Sequence, residues 1–485
     1  QSSLRLNLFT GKERTYQAWY GVPQELINTN RTFNPAGTEK ADAPYENQTD
    51  NYRQTHYQLF YNKNINSQWK WNTAVYLTTG KGYYEEYKAG INFSDYNIDI
   101  TGKMNVPSDL VRRRWLDNDF FGATFSLNYK TAKTDILFGG AANRYLGDHF
   151  GEVIWTQYYV PNSNRYYDNF GNKDDINVYA KASQQFGKLN FFADLQYRMV
   201  NYQATSFRFD DVNDTFRFFN PKAGLNYQLN DKNSFYGYFG IANKEPRRDD
   251  YEAGAIKPER LFDYELGWKY NTQKVKISAN AFYMNYQDQL VLTGALNDVG
   301  SPIFTNSGKS YRIGLEVESV IAITDKLIWN PNITLSQNKN RDFYFQRDGV
   351  LQNLGNTDIA FSPNIVAGNR ITFLPIKDFQ ISLLSKFVSE QYMGNIDSDN
   401  SKLDAYFVSD LNVSYEWKIN KGLKSMVFSA LVNNLFNLEY ESNGYFYTYD
   451  DDFSNPGTIS TIEGAGFFPQ AGINFLAGIN RSDSS

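Results

Sequence analysis

Apolar and polar side chains alternate with a period of two residues along most of this chain. From Met426 to Asn433 a period of two places Met426, Phe428, Ala430 and Val432 on one face and Val427, Ser429, Leu431 and Asn433 on the other, as in a β-strand. A long polar and aromatic stretch follows, and a last strand is predicted from Phe467 to Ile479. A strand, a long loop and a returning strand form one hairpin, and the rest of the sequence repeats that hairpin.

The two faces of the predicted strands differ in charge. In the segments Lys188–Tyr202 and Ala405–Trp417, one set of alternating side chains is almost free of charge and the other set is polar. The uncharged set of the first segment is Leu189, Phe191, Ala193, Leu195, Tyr197 and Met199. A Lys or Arg on the lipid face at the bilayer midplane costs about 2–4 kcal/mol, so we expect the uncharged face to contact lipid. A half-buried strand of a soluble protein alternates in the same way, but strands this long and this numerous favour a barrel.

Short and long connections alternate between the predicted strands, of which there are about 18, a number in the range of outer-membrane barrels. The short turns are Asn64–Ser67, Thr131–Lys133, Gln185–Lys188, Asn230–Asn233, Asn271–Lys274, Thr324–Lys326, Leu374–Lys377 and Asn420–Leu423. The long connections are Lys12–Asn51, Gly80–Arg114, Tyr145–Asp175, Gln203–Thr215, Asn243–Pro258, Gln289–Gly308, Asn340–Ala360, Gly394–Lys402 and Tyr440–Gly464. Outer-membrane barrels combine short periplasmic turns with long extracellular loops. The sequence therefore predicts an all-β fold, an antiparallel transmembrane outer-membrane β-barrel.

Composition excludes several other classes of protein. The 485 residues include 37 Tyr, 37 Phe and 8 Trp, a mixture that favours strands, and no apolar run is long enough for a transmembrane helix. The chain has no cysteine, which excludes disulfides, and its two histidines leave little for zinc or for histidine-based catalysis. The net charge of −5 is spread along the chain and does not indicate a nucleic-acid partner. Gln1 stands close to the first predicted strand, so we expect the N-terminus to be a cut edge.

Several local patterns are weaker signals. Gly308-Lys309-Ser310 resembles the end of a phosphate-binding loop, but it lacks the earlier glycine and a following helix, so we interpret it as a strand entry. The run Asp450–Asp452 lacks the spacing of a calcium loop, and we interpret it as a solvated acidic loop with a metal site as the alternative. His149 is a candidate haem ligand, although a lone histidine is more often structural. We expect no catalytic residue, no metal site and no cofactor.

Six sequence motifs stand between Phe218 and Tyr445. They are FFNPKAGLNYQL at Phe218–Leu229, SFYGYFGIANKEPRRDDYE at Ser234–Glu252, IKPERLFDYELGWKY at Ile256–Tyr270, ANAFYMNYQDQLV at Ala279–Val291, NSGKSYRIGLEVE at Asn306–Glu318 and LVNNLFNLEYESNGY at Leu431–Tyr445. In wording and in order, these motifs resemble those of the TonB-dependent outer-membrane receptors. The final hairpin resembles the iron-complex branch of that family more than the sugar-importing branch, and we expect the type found in Bacteroidetes.

The resemblance implies an importer rather than an enzyme. A bulky extracellular ligand, expected to be a ferric-siderophore-type iron complex, would bind the outer loops, and the TonB–ExbB–ExbD motor would then pull on a plug inside the barrel. Cobalamin, an oligosaccharide and haem remain alternative ligands, and a passive porin is an alternative class. The other expected partners are outer-membrane lipid and a surface lipoprotein, with no nucleic acid.

The chain departs from the family pattern at both ends. A barrel of this family has 22 strands around a plug, so we expect the plug, the TonB-binding segment and the first strands to be missing in front of Ser3. We expect residues 1–480 to form the barrel domain. Residues 481–485 follow the last aromatic residue, Phe475, and are expected to be a separate tail of native or non-native origin.

The long loops are the expected ligand site, because function concentrates on loops held by a rigid scaffold. They are rich in tyrosine, which offers a large contact area and a hydroxyl with few bonds to immobilise, and two adjacent arginines could pair with an anionic ligand. The predicted ligand-binding residues are Tyr83, Tyr84, Tyr158, Tyr159, Tyr166, Tyr167, Arg247, Arg248, Tyr445, Tyr447 and Tyr449. For any one of these tyrosines, packing between loops is an equally good interpretation.

Overall fold

The computed structural model describes residues 1–98, 107–158, 164–206, 211–252, 254, 256–296, 302–421 and 423–483. Within these residues the fold is all-β. The strands are β1 (Ser2–Tyr16), β2 (Val22–Pro23), β3 (Thr49–Asn64), β4 (Trp69–Asn92), β5 (Pro107–Lys130), β6 (Thr134–Thr156), β7 (Asn164–Phe186), β8 (Leu189–Ala204), β9 (Val212–Gln228), β10 (Asn233–Lys244), β11 (Glu259–Asn271), β12 (Val275–Gln287), β13 (Leu290–Leu296), β14 (Pro302–Asn306), β15 (Lys309–Thr324), β16 (Leu327–Arg341), β17 (Tyr344–Arg347), β18 (Val350–Asn353), β19 (Ile365–Phe373), β20 (Phe379–Val388), β21 (Gln391–Tyr392), β22 (Lys402–Leu403), β23 (Tyr406–Lys421), β24 (Leu423–Asn433), β25 (Glu441–Asp451), β26 (Ser460–Pro469) and β27 (Asn474–Asp483).

Helices play a minor part in the described segments. They are the 3-10 helices Gln24–Leu26, Phe93–Tyr96 and Asp399–Ser401 and the single-turn helix α1 (Arg248–Glu252). In this part of the chain, no helix has the length and the apolar character needed to cross a membrane.

In the described segments, eighteen strands form one large antiparallel sheet, which agrees with the predicted number. Each of these strands pairs with the next one along the chain, from β1 with β3 to β24 with β27. Among the described residues, no register joins β1 to β27, and both strands are exposed along their length. Leu6 of β1 and Phe475 of β27, for example, are each 71% exposed. These strands therefore do not complete the expected cylinder by pairing β1 with β27.

The two faces of the sheet differ as the alternation predicts. On β8, Leu195 and Tyr197 are 50% and 45% exposed. Arg198 lies on the opposite face, where its Nη2 atom donates to the Asp175 carboxylate at 2.6 Å. An exposed apolar face suits lipid and a polar face suits the lumen of a barrel. We call the face of Leu195 the outer face and the face of Arg198 the inner face, and the cross-strand registers extend both faces across the sheet.

The remaining strands lie in the long connections. Strands β13 and β14, β17 and β18, and β25 and β26 form hairpins there, while β2 adds to β26 and β21 pairs with β22. Different loops also share a small apolar core, in which buried Met393, Leu403, Phe446 and Phe467 pack together. The extracellular loops therefore form a packed layer of their own.

Several predicted boundaries were wrong. The prediction placed Tyr83 and Tyr84 in the loop 80–114 and Tyr166 and Tyr167 in the loop 145–175, but these tyrosines lie on β4 and β7. The strands continue because charged residues pair across them, so charge does not mark the start of a loop here. The last strand of the large sheet begins at Asn474, since the segment that contains Phe467 belongs to β26.

The triplet at Gly308 is a strand entry. Gly308 has a φ of +75° in the turn before β15, and Lys309 is the first residue of that strand. A positive φ favours glycine because it has no Cβ. The structure thus agrees with the interpretation that this triplet is not a phosphate-binding loop.

Candidate functional site

Two neighbouring strands carry a dense group of charged and aromatic side chains at the end of the sheet that bears the long loops. Tyr84 and Glu86 lie on the inner face of β4, and Arg114 and Arg112 of β5 stand directly opposite them. Apart from Thr73, the outer face of β4 is apolar up to Leu77, and it is largely polar beyond that residue. These four side chains therefore lie outside the membrane-spanning part of the strands.

Arg114 is the centre of this group. Its Nη1 atom donates to the Tyr84 hydroxyl at 2.8 Å and its Nε atom donates to the Tyr166 hydroxyl at 3.3 Å. The centre of the guanidinium also lies 5.8 Å from the ring of Tyr167. Three tyrosines that were predicted to bind ligand thus converge on one arginine. We call Tyr84, Arg114, Tyr166 and Tyr167 the arginine–tyrosine cluster.

A bulge in β7 brings both of its tyrosines to Arg114. Gly151 pairs with Tyr167 and Glu152 with Arg165, so Tyr166 is the extra residue of the bulge. An extra residue changes the direction of its side chain relative to the regular alternation. As a result, the rings of Tyr166 and Tyr167 meet edge to face, with centroids 5.0 Å apart.

A buried ion pair supports the cluster from one side. The Arg112 Nη2 atom lies 2.7 Å from the Glu86 Oε2 atom, and the two side chains are 12% and 5% exposed. The Nη1 atom of Arg112 also donates to the Tyr96 hydroxyl at 3.0 Å. The ring of Tyr96 in turn packs on the ring of Tyr166, with centroids 4.6 Å apart. These contacts fix the position of Tyr166 beside Arg114.

Burial determines the charge of the cluster. Burial raises the pKa of the Tyr84 hydroxyl above its ordinary value, although the nearby Arg114 charge acts in the opposite direction. Burial also raises the pKa of Tyr167 to about 12. Burial lowers the pKa of Arg112, but the charge of Glu86 and the hydroxyls of Tyr96 and Tyr166 together raise that pKa above its ordinary value. At neutral pH the Arg114 guanidinium therefore lies beside the neutral hydroxyls of Tyr84 and Tyr167.

The structure separates the other tyrosines of the first two loops from this cluster. Tyr83 lies on the outer face of β4, where its ring is 4.6 Å from the ring of Trp115. Tyr158 follows β6 and is 51% exposed, and its carbonyl accepts a hydrogen bond from the Thr156 hydroxyl. Tyr159 lies outside the described residues. A ligand-binding role for these three tyrosines stays a prediction.

The two predicted arginines contact different loops. Arg248 begins α1, and its Nη2 atom donates to the Thr205 carbonyl at 3.0 Å. Burial, together with the charge of Arg248, lowers the pKa of His149 to about 4, so this imidazole is neutral. Arg247 lies over the ring of Phe304, 4.4 Å from its centroid. The two arginines therefore do not form one anion site, although Arg248 adds positive charge near the inner face.

The tyrosines of the final loop form a second aromatic surface. Tyr445, Tyr447 and Tyr449 stack along β25, with successive ring centroids 6.0 and 6.4 Å apart. Tyr447 and Tyr449 border a cleft of about 590 Å³ that is also lined by Phe345 and Ile396. Several extracellular loops contribute to this cleft, which is open on the loop layer.

In the part of the chain that the structure describes, no three His, Asp or Glu side chains are grouped to hold a metal ion. The Asp451 carboxylate instead accepts the backbone N–H groups of Phe453 and Ser454. The hydrogen bonds with Ser454 lower the pKa of Asp451. The Asp450 carboxylate accepts the Thr461 hydroxyl at 2.9 Å.

Arg112, Glu86 and Arg114 were not among the predicted site residues. The signal that could have found them is the match between two runs, YYEE at 83–86 and RRRW at 112–115. When β4 and β5 are paired as an antiparallel hairpin, each glutamate of the first run faces an arginine of the second. Counting opposite charges across a predicted hairpin would have shown this match.

An antiparallel sheet with an apolar outer face, a polar inner face and long loops at one end defines an outer-membrane β-barrel protein. Residues 2–435 match the family described as TonB dependent receptor-like, beta-barrel. The chain therefore belongs to this family, whose members are transporters of the Gram-negative outer membrane and not enzymes.

Curated relatives match over a shorter stretch. The pesticin receptor of Yersinia enterocolitica is 26% identical over 196 residues, which cover 40% of this chain and 27% of that receptor. The pesticin receptor of Yersinia pestis matches with the same identity over the same number of residues. The matched stretch thus spans little more than a quarter of the length of these relatives.

Solved structures share the fold over nearly the whole chain. The ferric-catecholate import receptor Fiu from E. coli K12, in its closed form, has a TM-score of 0.68 at 14% identity and covers 99% of this chain and 72% of its own. The ferric yersiniabactin uptake receptor FyuA from Yersinia pestis has a TM-score of 0.63 at 15% identity, and the match covers 99% of this chain and 68% of that receptor. The ferric citrate transporter FecA in the unliganded form has a TM-score of 0.68 at 13% identity, and the match covers 99% of this chain and 68% of that transporter. At these identities the likeness concerns the fold alone.

Proposed function

We propose that this chain is the barrel portion of a TonB-dependent transporter for a bulky anionic nutrient, most simply a ferric-siderophore-type iron complex. The observation that carries the proposal is the position of Arg114, between the hydroxyls of Tyr84 and Tyr166 on the inner face, outside the membrane. A guanidinium has a fixed fork of donors that matches carboxylate and similar oxyanions. The tyrosine rings add a large amphipathic surface for the organic part of such a ligand.

The names of the structural neighbours support an iron complex as the ligand. They include receptors or transporters for ferric catecholate, ferric yersiniabactin and ferric citrate. Energy for uptake would come from the TonB–ExbB–ExbD motor acting on a plug segment of the whole protein. The cleft beside Tyr447 and Tyr449 would serve as a first contact for the ligand on the loop layer.

This function is tested by measuring the uptake of labelled iron in a strain whose chromosomal gene is deleted and that carries the whole gene on a plasmid. The panel contains ferric catecholate, ferric citrate and ferric hydroxamate complexes, with haem, cobalamin and an oligosaccharide as the competing ligands. We expect uptake of one iron complex that stops when a protonophore removes the energy source. Uptake of a non-iron ligand alone would contradict the proposed substrate, and liposome swelling by small solutes with the whole protein would indicate a porin.

The variant Arg114→Gln tests the role of the cluster. It removes one charge, and a hydrogen bond to a charged group is worth about 1.5–3 kcal/mol, so we expect binding of the iron complex to weaken at least tenfold. Arg113→Gln is the matched control, because Arg113 is the adjacent residue but pairs with Glu85 on the outer face. Equal effects of the two substitutions, at equal amounts of folded protein, would contradict the assignment.

A further inference from the structure

Three cations form a row across the outer face of β1, β3 and β4. Lys12 stands opposite Arg53, and Arg53 stands opposite Lys81, and all three side chains are exposed. Neighbouring strands are about 4.8 Å apart, so the row spans roughly 10 Å. Like charges directly opposite one another destabilise a sheet. An anion that binds across the row would remove this repulsion.

Among the described residues, an ion pair neutralises one end of the row. Lys81 pairs with Asp117 at 2.6 Å, and both side chains are about half exposed. In the described segments, no carboxylate lies within ion-pair distance of Lys12 or Arg53. On the far side of Lys81 the row continues through Asp117 to Asp148, which stand opposite each other. The positive charge is therefore confined to β1, β3 and β4.

The row stands at the height of a lipid headgroup. Four residues nearer the short turns, on the same face of the same strands, the exposed side chains are Leu8, Tyr57 and Leu77, which also face one another. Four residues of a strand span about 13 Å, and a strand tilt of about 40° reduces this to roughly 10 Å along the membrane normal. The cations thus lie just above the apolar band of the outer face.

We propose that Lys12, Arg53 and Lys81 bind the phosphate of a phosphorylated lipid in the outer leaflet. Lys and Arg side chains are good phosphate ligands, and basic clusters beside membrane-embedded segments attract anionic headgroups. The acyl chains of the lipid would lie along the apolar columns that end at Leu8, Tyr57 and Leu77. A soluble anion would gain only the charges, so the continuity of the basic row with the apolar columns favours a lipid.

Native mass spectrometry of the detergent-purified whole protein tests this site. The probes are bisphosphorylated lipid A, monophosphorylated lipid A and the neutral-headgroup lipid phosphatidylethanolamine. We expect the bisphosphorylated lipid to bind most tightly, and the combined variant Lys12→Gln, Arg53→Gln and Lys81→Gln to weaken its binding at least tenfold. Equal binding of all three lipids by the unchanged protein would overturn the proposal. That result is the one expected if the row binds a protein partner and not a lipid phosphate.

A control with the same change of charge separates the row from the net charge of the protein. Lys133, Lys232 and Lys274 are exposed in the short turns at the opposite end of the sheet, and their combined change to Gln is expected to leave binding within twofold. An equal loss in this control would overturn the proposal, and so would displacement of the lipid by millimolar inorganic phosphate. Heat-modifiable gel mobility reports folding of each variant. If the triple variant does not fold, lipid binding by Arg53→Gln and Arg53→Lys is measured instead. We expect Arg53→Gln to weaken binding and Arg53→Lys, which keeps the charge, to retain it. Equal binding by the two variants would overturn the proposal.

Discussion

The buried ion pair between Arg112 and Glu86 leads to a stability prediction whose size follows from its burial. Their closest atoms are 2.7 Å apart and the side chains are 12% and 5% exposed. Removal of one partner from such a pair leaves a buried charge without compensation and costs about 3–5 kcal/mol. Because Arg112 keeps its hydrogen bond to Tyr96, we expect Glu86→Gln to lower the free energy of unfolding by about 3 kcal/mol, the lower end of that range.

Two further variants separate the charge effect from other effects. Arg112→Met combined with Glu86→Leu removes both charges, and we expect its stability to lie within about 1 kcal/mol of the unchanged protein. Lys81 and Asp117 join the same two strands, but their side chains are 58% and 44% exposed. Solvent screens such a pair, so Asp117→Asn is expected to cost less than about 1 kcal/mol.

Urea unfolding in detergent micelles, followed by the fluorescence of the 8 tryptophans, measures these differences. At an unchanged slope with urea, a lower midpoint reports a lower free energy of unfolding. A cost of Glu86→Gln no larger than that of Asp117→Asn would refute the effect assigned to burial. A double variant as unstable as Glu86→Gln would refute it as well.

Two other predictions concern pH and the loop layer. Burial, with the charge of Arg248, lowers the pKa of His149 to about 4. As the pH falls, the unfolded chain therefore binds a proton at His149 before the folded protein does. The stability that neutral His149 contributes is complete above pH 6.5 and is lost as the pH falls toward 4. Between pH 8 and pH 5 this loss of stability is roughly 2 kcal/mol. Thermal melts should show the loss in the unchanged protein and a smaller loss in His149→Gln. An equal dependence of stability on pH in the two proteins would contradict the prediction. The Glu463 carboxylate accepts hydrogen bonds from Arg347 at 3.2 Å and from Asn400 at 2.9 Å, on two other loops. Glu463→Ala is expected to speed proteolysis of the hairpin β17–β18 several-fold while the large sheet stays resistant, and unchanged cleavage would show that these contacts do not hold the loops.

The strands of the large sheet could be predicted from the sequence because lipid imposes a simple rule. Every second side chain of a membrane-spanning strand must be apolar, so the alternation at Leu195 and Tyr197 is visible without a structure. Strand ends near the loops lie outside the bilayer and escape that rule. The alternation there continues with charged residues such as Glu85 and Glu86, whose partners on β5 become apparent only when the register is known.

The candidate site was only partly predictable, because its contacts depend on that register and on a bulge. Tyr84, Tyr166 and Tyr167 were among the predicted residues, but nothing in the composition of the loops places them around Arg114. The bulge at Tyr166 determines that its hydroxyl reaches the guanidinium. Packing between distant loops, such as the contact of Met393 with Phe446, has no periodic signal in the sequence.

Side-chain orientation on β8 tests most directly whether the uncharged face contacts lipid and the polar face lines water. The chain has no cysteine, so Leu195→Cys and Gln196→Cys each introduce a single thiol on adjacent residues. In proteoliposomes, a water-soluble maleimide should label Gln196→Cys readily and Leu195→Cys poorly. A fluorophore attached before reconstitution should be quenched by brominated lipid only at position 195. The reverse pattern, or equal labelling and quenching at both positions, would contradict the assignment of the two faces.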